Sequence, residues 1–265
     1  MKDLVKGFFK PALWALALCL LIIACSDDLG ELADQDAQLT SAEVETILEA
    51  NELSSLTDGL LTDIFSSDQT EKTAKSTDCQ QIETSNTITT ITFNDCTVDG
   101  SDLINGTITA NYSIAEESTE ISVTYTDFTI GTIKISGNKT FTFDHDDEQE
   151  GFVFTVESDM QVVMSDGKEL SERGTKIIGF VFNSLEDQSL TLDGEWTITS
   201  DGNTYSAVVE NLLKKKYTCA YTGEGLLLLS KNGLAVSVDF GDGACDDVAL
   251  INYPDGTTEQ ITLKD

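Results

Sequence analysis

"KNGLAVSVDF", residues 231–240, decides how the rest of the chain is read. Asn232-Gly233 supplies two consecutive residues that tolerate positive φ, which a two-residue type I′ hairpin turn requires. After it, Leu234, Val236, Val238 and Phe240 fall on one face of an extended chain, and Ala235, Ser237 and Asp239 on the other. A period of two with one apolar face is an antiparallel strand buried on one side. The same pattern recurs upstream. Ile108, Ala110, Tyr112 and Ile114 share a face, as do Ile121, Val123 and Tyr125. "SDGK" (165–168), "SDGN" (200–203) and "PDGT" (254–257) repeat the turn signal. Pro254 sits in the last of these, so no strand is interrupted by proline. Counting alternating runs between turns predicts roughly eleven or twelve strands across 82–263, joined by short connections. A sheet of more than about ten strands must curl, split or close. The expected fold is mainly β: an antiparallel meander forming a strongly curved sheet, half-barrel or sandwich, its apolar set lining the concave face.

One or two short N-terminal helices precede it. "TSAE" (40–43) reads as a capping box, with Thr40 as N-cap and Glu43 three residues on. Val44, Ile47 and Leu48 follow at helical spacing, and Leu53, Leu56, Leu60 and Ile64 make a second stripe. Such helices, spanning 41–66, would cover or plug the concavity. Their polar face carries Glu and Asp rather than Lys, which disfavours an anionic membrane surface.

Lys2, Lys6 and Lys10 form a positive start, and "ALWALALCLLIIA" (12–24) is a 13-residue apolar run. That is the length of a signal-peptide core and short of the roughly 20 residues a spanning helix needs. Leu21-Ile22-Ile23-Ala24-Cys25 resembles a bacterial lipobox. The resemblance implies cleavage before Cys25, which then carries acyl chains and anchors the protein in a membrane. "SDDLGE" (26–31) resembles the acidic stretch that follows the lipidated cysteine of Bacteroidota lipoproteins exported to the cell surface. The expected organisation is a signal peptide over 1–24, a lipidated tether over 25–40, a helical segment and loop over 41–78, and the β domain over 79–265. The expected place is the outer membrane, facing outward; the periplasmic face is the alternative.

Losing Lys2, Asp3, Lys6 and Lys10 with the leader takes the 15 basic and 47 acidic residues to 12 and 46, a net charge of −34. That field repels nucleic acid. Cys79, Cys96, Cys219 and Cys245 remain besides Cys25, and an even number in an exported chain suggests disulfides. Cys79–Cys96 and Cys219–Cys245 close the shortest loops and are the preferred pairing of the three available. Zinc is the rival use, but there is no C-x-x-C pair and His145 is the only histidine.

"TFNDCTVDG" (92–100), "NGTITANYS" (105–113), "TYTDFTIGTIKISGNKTFT" (124–142) and "VDFGDGACDD" (238–247) occur in this order. Together they resemble a group of uncharacterised Bacteroidota surface lipoproteins, over about residues 79–263. The middle strand "SGNKTFT" departs from the "GTKT" of that group, and the early motif lacks the glycine of the late one. The resemblance implies a lipid-anchored β-meander and brings no activity with it.

Candidate chemistry is sparse. Asp144, His145 and Asp146 in "FDHDDEQEG" (143–151) invite a metal or acid–base reading, but neighbours in an extended chain point apart, and a charge run is ordinarily a solvated hairpin tip. Asp239, Asp242, Asp246 and Asp247 are candidate calcium ligands, since calcium takes six to eight oxygens; aspartates capping a glycine turn explain the same residues and are the favoured reading. No nucleophile elbow, phosphate loop or zinc-protease motif occurs. Trp196 and Tyr205 would stack on sugars if exposed and are core if buried. A glycan-active protein would need two carboxylates facing across a cleft. The expectation is a non-enzymatic surface lipoprotein with a structural or binding role. The alternative is a carrier that shelters a lipid or other hydrophobic ligand in the concave face, beside Phe152, Phe154, Phe180 and Phe182.

Overall fold

The computed structural model describes residues 39–66, 79–97, 103–116, 118–144, 152–182 and 188–263. The chain divides after Gln38, and everything said here concerns the unit that begins at Leu39. The expected signal peptide and Cys25 lie outside the described residues.

Helix α1 spans Ser41–Ser66, a single helix rather than two. Thirteen strands follow: β1 Gln80–Ser85, β2 Ile88–Thr97, β3 Leu103–Ile114, β4 Ser118–Ile130, β5 Ile133–Asp144, β6 Phe152–Val163, β7 Glu169–Phe182, β8 Gln188–Ser200, β9 Asn203–Lys216, β10 Glu224–Lys231, β11 Leu234–Asp242, β12 Val248–Asn252 and β13 Thr258–Thr262. Each pairs antiparallel with its neighbours in chain order, giving one 13-stranded meander that does not close into a barrel. The sandwich alternative is thereby ruled out. The count exceeds the expected one because alternation barely marks the edges. Of the apolar side chains, β1 half-buries Ile82 and β13 buries Ile261, and their other residues are polar.

The hairpins follow their turn residues. Asp201-Gly202 and Asn232-Gly233 both take positive φ at both positions, as two-residue type I′ turns need. At Asp166-Gly167 and Asp255-Gly256 only the glycine does. These loops are longer, closed by Met164 N–H to Lys168 O and Tyr253 N–H to Thr257 O. The aspartates accept N–H groups two residues on, from Lys168 and Thr257, and so act as Asx turns.

One face of the sheet holds the core. Ile91, Ile108, Ile121, Val123, Phe141, Val156, Ile198, Leu229, Val236 and Val238 are all buried on it. Curvature is built in on the same face, where Gly106, Gly137 and Gly174 stand opposite Phe93, Tyr125 and Trp196 on adjacent strands. A Cβ on Gly137 (φ 118°) would collide with the Asp159 carbonyl oxygen. The missing side chains let backbones approach and leave the aromatic rings to fill the space.

Helix α1 lies against this face and crosses the strands. Glu43, in its first turn, meets Tyr205 of β9 and Lys231 of β10, while Ser54 meets Lys139 of β5 and Glu172 of β7. Its described buried stripe runs Val44, Ile47, Asn51, Ser54, Thr57, Leu61, at the spacing of one helix face. The expected second stripe of Leu53, Leu56, Leu60 and Ile64 has its side chains outside the described residues.

Candidate functional site: charges beneath the helix

The inner register of β7 reads Leu170, Glu172, Gly174, Lys176, Ile178, and that of β5 reads Ile135, Gly137, Lys139, Phe141. Both strands place ions where the alternation calls for apolar side chains. Lys139, Lys176 and Glu172 are only 1%, 2% and 5% exposed. The sheet register gathers them: Lys139 is opposite Ser158, Ser158 opposite Gly174, and Gly174 opposite Trp196.

Burial of charge is expensive unless each group is paired and hydrogen-bonded. Lys176 Nζ lies 2.9 Å from Glu172 Oε2 and 4.7 Å from the centre of the Trp196 indole ring. A Cβ on Gly174 would press on Trp196 Cα and Cβ, so the glycine is what admits the indole. Glu172 Oε1 accepts from Ser158 Oγ at 2.9 Å and from Ser54 Oγ at 3.1 Å. Lys139 Nζ donates to three oxygens of α1: Ser54 O at 2.9 Å, Ser54 Oγ at 3.0 Å and Thr57 Oγ1 at 3.1 Å. Thr57 Oγ1 in turn donates to Ser54 O at 2.7 Å. Ser54 Oγ thus links Lys139 to Glu172. Burial works to raise the Glu172 pKa, but the charges of Lys176 and Lys139 and the hydrogen bonds outweigh it and hold the carboxyl below its ordinary value. Lys176 pairs directly with this carboxylate, and Lys139 acts on it through its charge and through Ser54.

The capping box supplies a second contact. Thr40 N–H donates to Glu43 Oε2 at 3.0 Å, and Glu43 N–H to Thr40 Oγ1 at 3.3 Å. The other Glu43 oxygen accepts from Tyr205 Oη at 2.7 Å and Lys231 Nζ at 2.8 Å. Burial alone would raise its pKa; the hydrogen bonds from Lys231, Thr40 and Tyr205 instead lower it to about 2. So one side chain caps α1 and docks it to the sheet.

Helix α1 covers the described part of the concave face. Among the described residues a cavity of about 40 Å³ lies between α1 and Leu192, Leu213, Leu227 and Phe240, and one of about 10 Å³ beside Ser54, Thr57 and Glu172. About 10 Å³ holds one water at most.

The other sequence candidates fall as follows. Cys79 and Cys96 form one disulfide and Cys219 and Cys245 the other, with Cα atoms 5.2 Å and 5.3 Å apart. The first ties the start of β1 to β2; the second joins the β9–β10 and β11–β12 connections. Asp239 and Asp246 accept N–H groups from Gly241 and Val248 as turn caps. Among the described residues, no group of three or more His, Cys, Asp or Glu side chains is placed to hold a metal, so Asp239, Asp242, Asp246 and Asp247 do not converge. Trp196 and Tyr205 are buried core residues and offer no sugar platform. Phe154 stacks with Phe180, ring centres 6.0 Å apart, and is flanked by Phe141 and Phe143. The side chains of Phe152 and Phe182, together with His145 and its flanking aspartates' side chains, lie outside the described residues. Sequence reasoning missed Lys139, Glu172 and Lys176; their signal was a charged residue in the inward phase of an alternating strand.

No family model, curated protein or solved structure matches this chain.

Proposed function

We propose that the protein is a lipid-anchored, non-enzymatic lipoprotein of the bacterial envelope, held in the outer membrane through Cys25 with its β domain facing outward, and serving a structural or binding role. The observation that supports the role is the covered concave face: among the described residues α1 packs on it, and the cavities beside the helix measure about 40 Å³ and about 10 Å³. The anchor rests on "LIIAC" (21–25) and its context. Several acyl chains hold a protein stably, at about 0.8 kcal/mol per buried CH₂. The kinship to Bacteroidota surface lipoproteins is part of the same proposal.

Membrane fractionation of Cys25→Ala tests the anchor. The variant is expected in the soluble fraction; wild-type-like membrane association overturns the reading. Protease added to intact cells is expected to cut the β domain, and full protection moves it to the periplasmic face. A second reading, the carrier of a hydrophobic ligand, is favoured by one observation, that the element filling the concavity presents a polar stripe to buried charges.

A further inference from the structure

The lysine run 214–216 and the acidic turn 242–247 lie apart in sequence, and the fold joins them at one end of the sheet. Cys219 bonds to Cys245, with Cα atoms 5.3 Å apart. Lys216 Nζ donates to Gly243 O at 2.8 Å, Gly223 N–H to Lys214 O at 3.1 Å, and Gly243 N–H to Gly223 O at 2.7 Å. The turn after β9 is closed by Cys219 N–H to Lys216 O at 2.9 Å, and Tyr217 N–H reaches Gln188 O at the start of β8 at 3.0 Å. Tyr217 therefore sits on a pinned backbone, yet it is 56% exposed; among the described large apolar and aromatic residues only Ile114 is more so. A tyrosine left in water on an ordered turn adds nothing to the core. It presents a large, rigid contact area whose ordering costs little entropy on binding.

The charge around this ring decides what it suits. Segments 214–224 and 242–247 carry three lysines against four acids, Glu224, Asp242, Asp246 and Asp247, a net of −1 where the whole chain is −32. Charges further off than about 8 Å are largely screened at physiological salt, so a molecule at Tyr217 meets a nearly neutral surface. Among the described residues no ion pair joins those lysines to those acids. The surface thus offers ammonium donors and carboxylate acceptors side by side, with no net attraction for an ion of either sign. A lipid surface is a poor match, because the groups flanking the ring would lose their water on entering it. The ligand that fits is uncharged, carries many hydroxyls and has an apolar C–H face for the ring. We infer that Tyr217 and the charged groups around it form a platform for a neutral glycan chain. The ring stacks on a pyranose face, the ammonium and carboxylate groups exchange hydrogen bonds with its hydroxyls, and the Cys219–Cys245 disulfide holds the two halves of the platform together. The inference rests on the binding half of the proposed role, names its ligand class, and is independent of where the protein is anchored.

The test uses the full chain carrying Cys25→Ala, titrated by calorimetry with cellohexaose, maltohexaose, mannohexaose and chitohexaose. Hexagalacturonate and vesicles of anionic phospholipid serve as controls. Saturable binding of at least one neutral hexasaccharide is expected, with neither control binding comparably. Tyr217→Ser is expected to weaken binding at least about tenfold, the scale of a lost aromatic anchor, at an unchanged urea midpoint because the ring lies outside the core. Tyr217→Trp gives a direct readout: it should retain binding, and its fluorescence emission should shift on saturation. No binding by any of the four hexasaccharides, equal or tighter binding of hexagalacturonate or of the vesicles, undiminished binding by Tyr217→Ser, or unshifted Tyr217→Trp emission at saturation each overturns the inference. Membrane fractionation of Cys25→Ala reports on the anchor separately, so the two readings fail independently.

Discussion

Glu172→Met removes the carboxylate that pairs with Lys176 and lies within the field of Lys139. At 2.9 Å the Lys176–Glu172 pair has a gross attraction of about 6 kcal/mol at an effective dielectric of roughly 20. The desolvation of both ions has already consumed most of that in the native protein. Once the carboxylate is gone, that desolvation is no longer offset, and breaking a buried pair costs about 3–5 kcal/mol. Ser54 and Ser158 also lose their common acceptor. We expect a loss of about 4 kcal/mol, a fall in Tm of roughly 8–16 °C for a domain of this size. The triple variant Lys139→Met, Glu172→Met, Lys176→Met removes the charges together and should recover to within about 1 kcal/mol of wild type. Urea unfolding of the Cys25→Ala chain at pH 7, followed by circular dichroism, measures both. The sign of the pH dependence is a further check. The folded carboxyl lies below its unfolded value, so its contribution is present above about pH 4.5 and is lost as pH falls through the folded value. The gap between wild type and Glu172→Met should therefore shrink in acid. A cost under about 1 kcal/mol for the single variant, or a triple variant as unstable as the single, would refute the account of a buried, mutually compensating cluster.

Glu43→Gln should cost about 1–2 kcal/mol at pH 7, discounted because its side chain is 22% exposed. Because its folded pKa is about 2 against 4.5 unfolded, the difference from wild type should fade between pH 4.5 and 2 in the same urea assay. Gly137→Ala should destabilise by about 3 kcal/mol or more, since positive φ and the Asp159 carbonyl both oppose a Cβ; a near-neutral result in thermal melts would show the β5–β6 approach to be looser than described. Replacing either cysteine pair by serine releases loops of 17 or 26 residues in the unfolded chain and should cost about 3 kcal/mol each, read as a drop in urea midpoint with an m-value that does not fall.

Much of the fold was legible in the sequence because its determinants are local. A period of two needs only neighbouring residues, so Leu234–Phe240 declared its strand. Asn232-Gly233 declared its turn because few residue pairs accept positive φ twice. Thr40 and Glu43 declared the helix start because both partners of a capping box lie within one turn. The short edges β1 and β13 carry little alternation, because pairing on one side demands little of their side chains. The cysteine pairing was approached through loop length alone, and the structure joins the same pairs.

The sequence by itself therefore determined a one-sided antiparallel meander behind a capped helix, stapled by cysteines. Only the tertiary structure decided what fills the concavity. Ser54 meets Lys139 across 85 residues and Glu172 across 118. No periodicity encodes which strand's inward charge will lie beneath which turn of a helix. That depends on sheet curvature, on glycines that let Trp196 lie over β7, and on the angle at which α1 crosses the strands. A lysine in the inward phase of a strand looks in sequence like a flaw in the pattern. In the folded chain, low dielectric makes that charge costly unless satisfied, and the partners that satisfy it are supplied by elements distant in sequence.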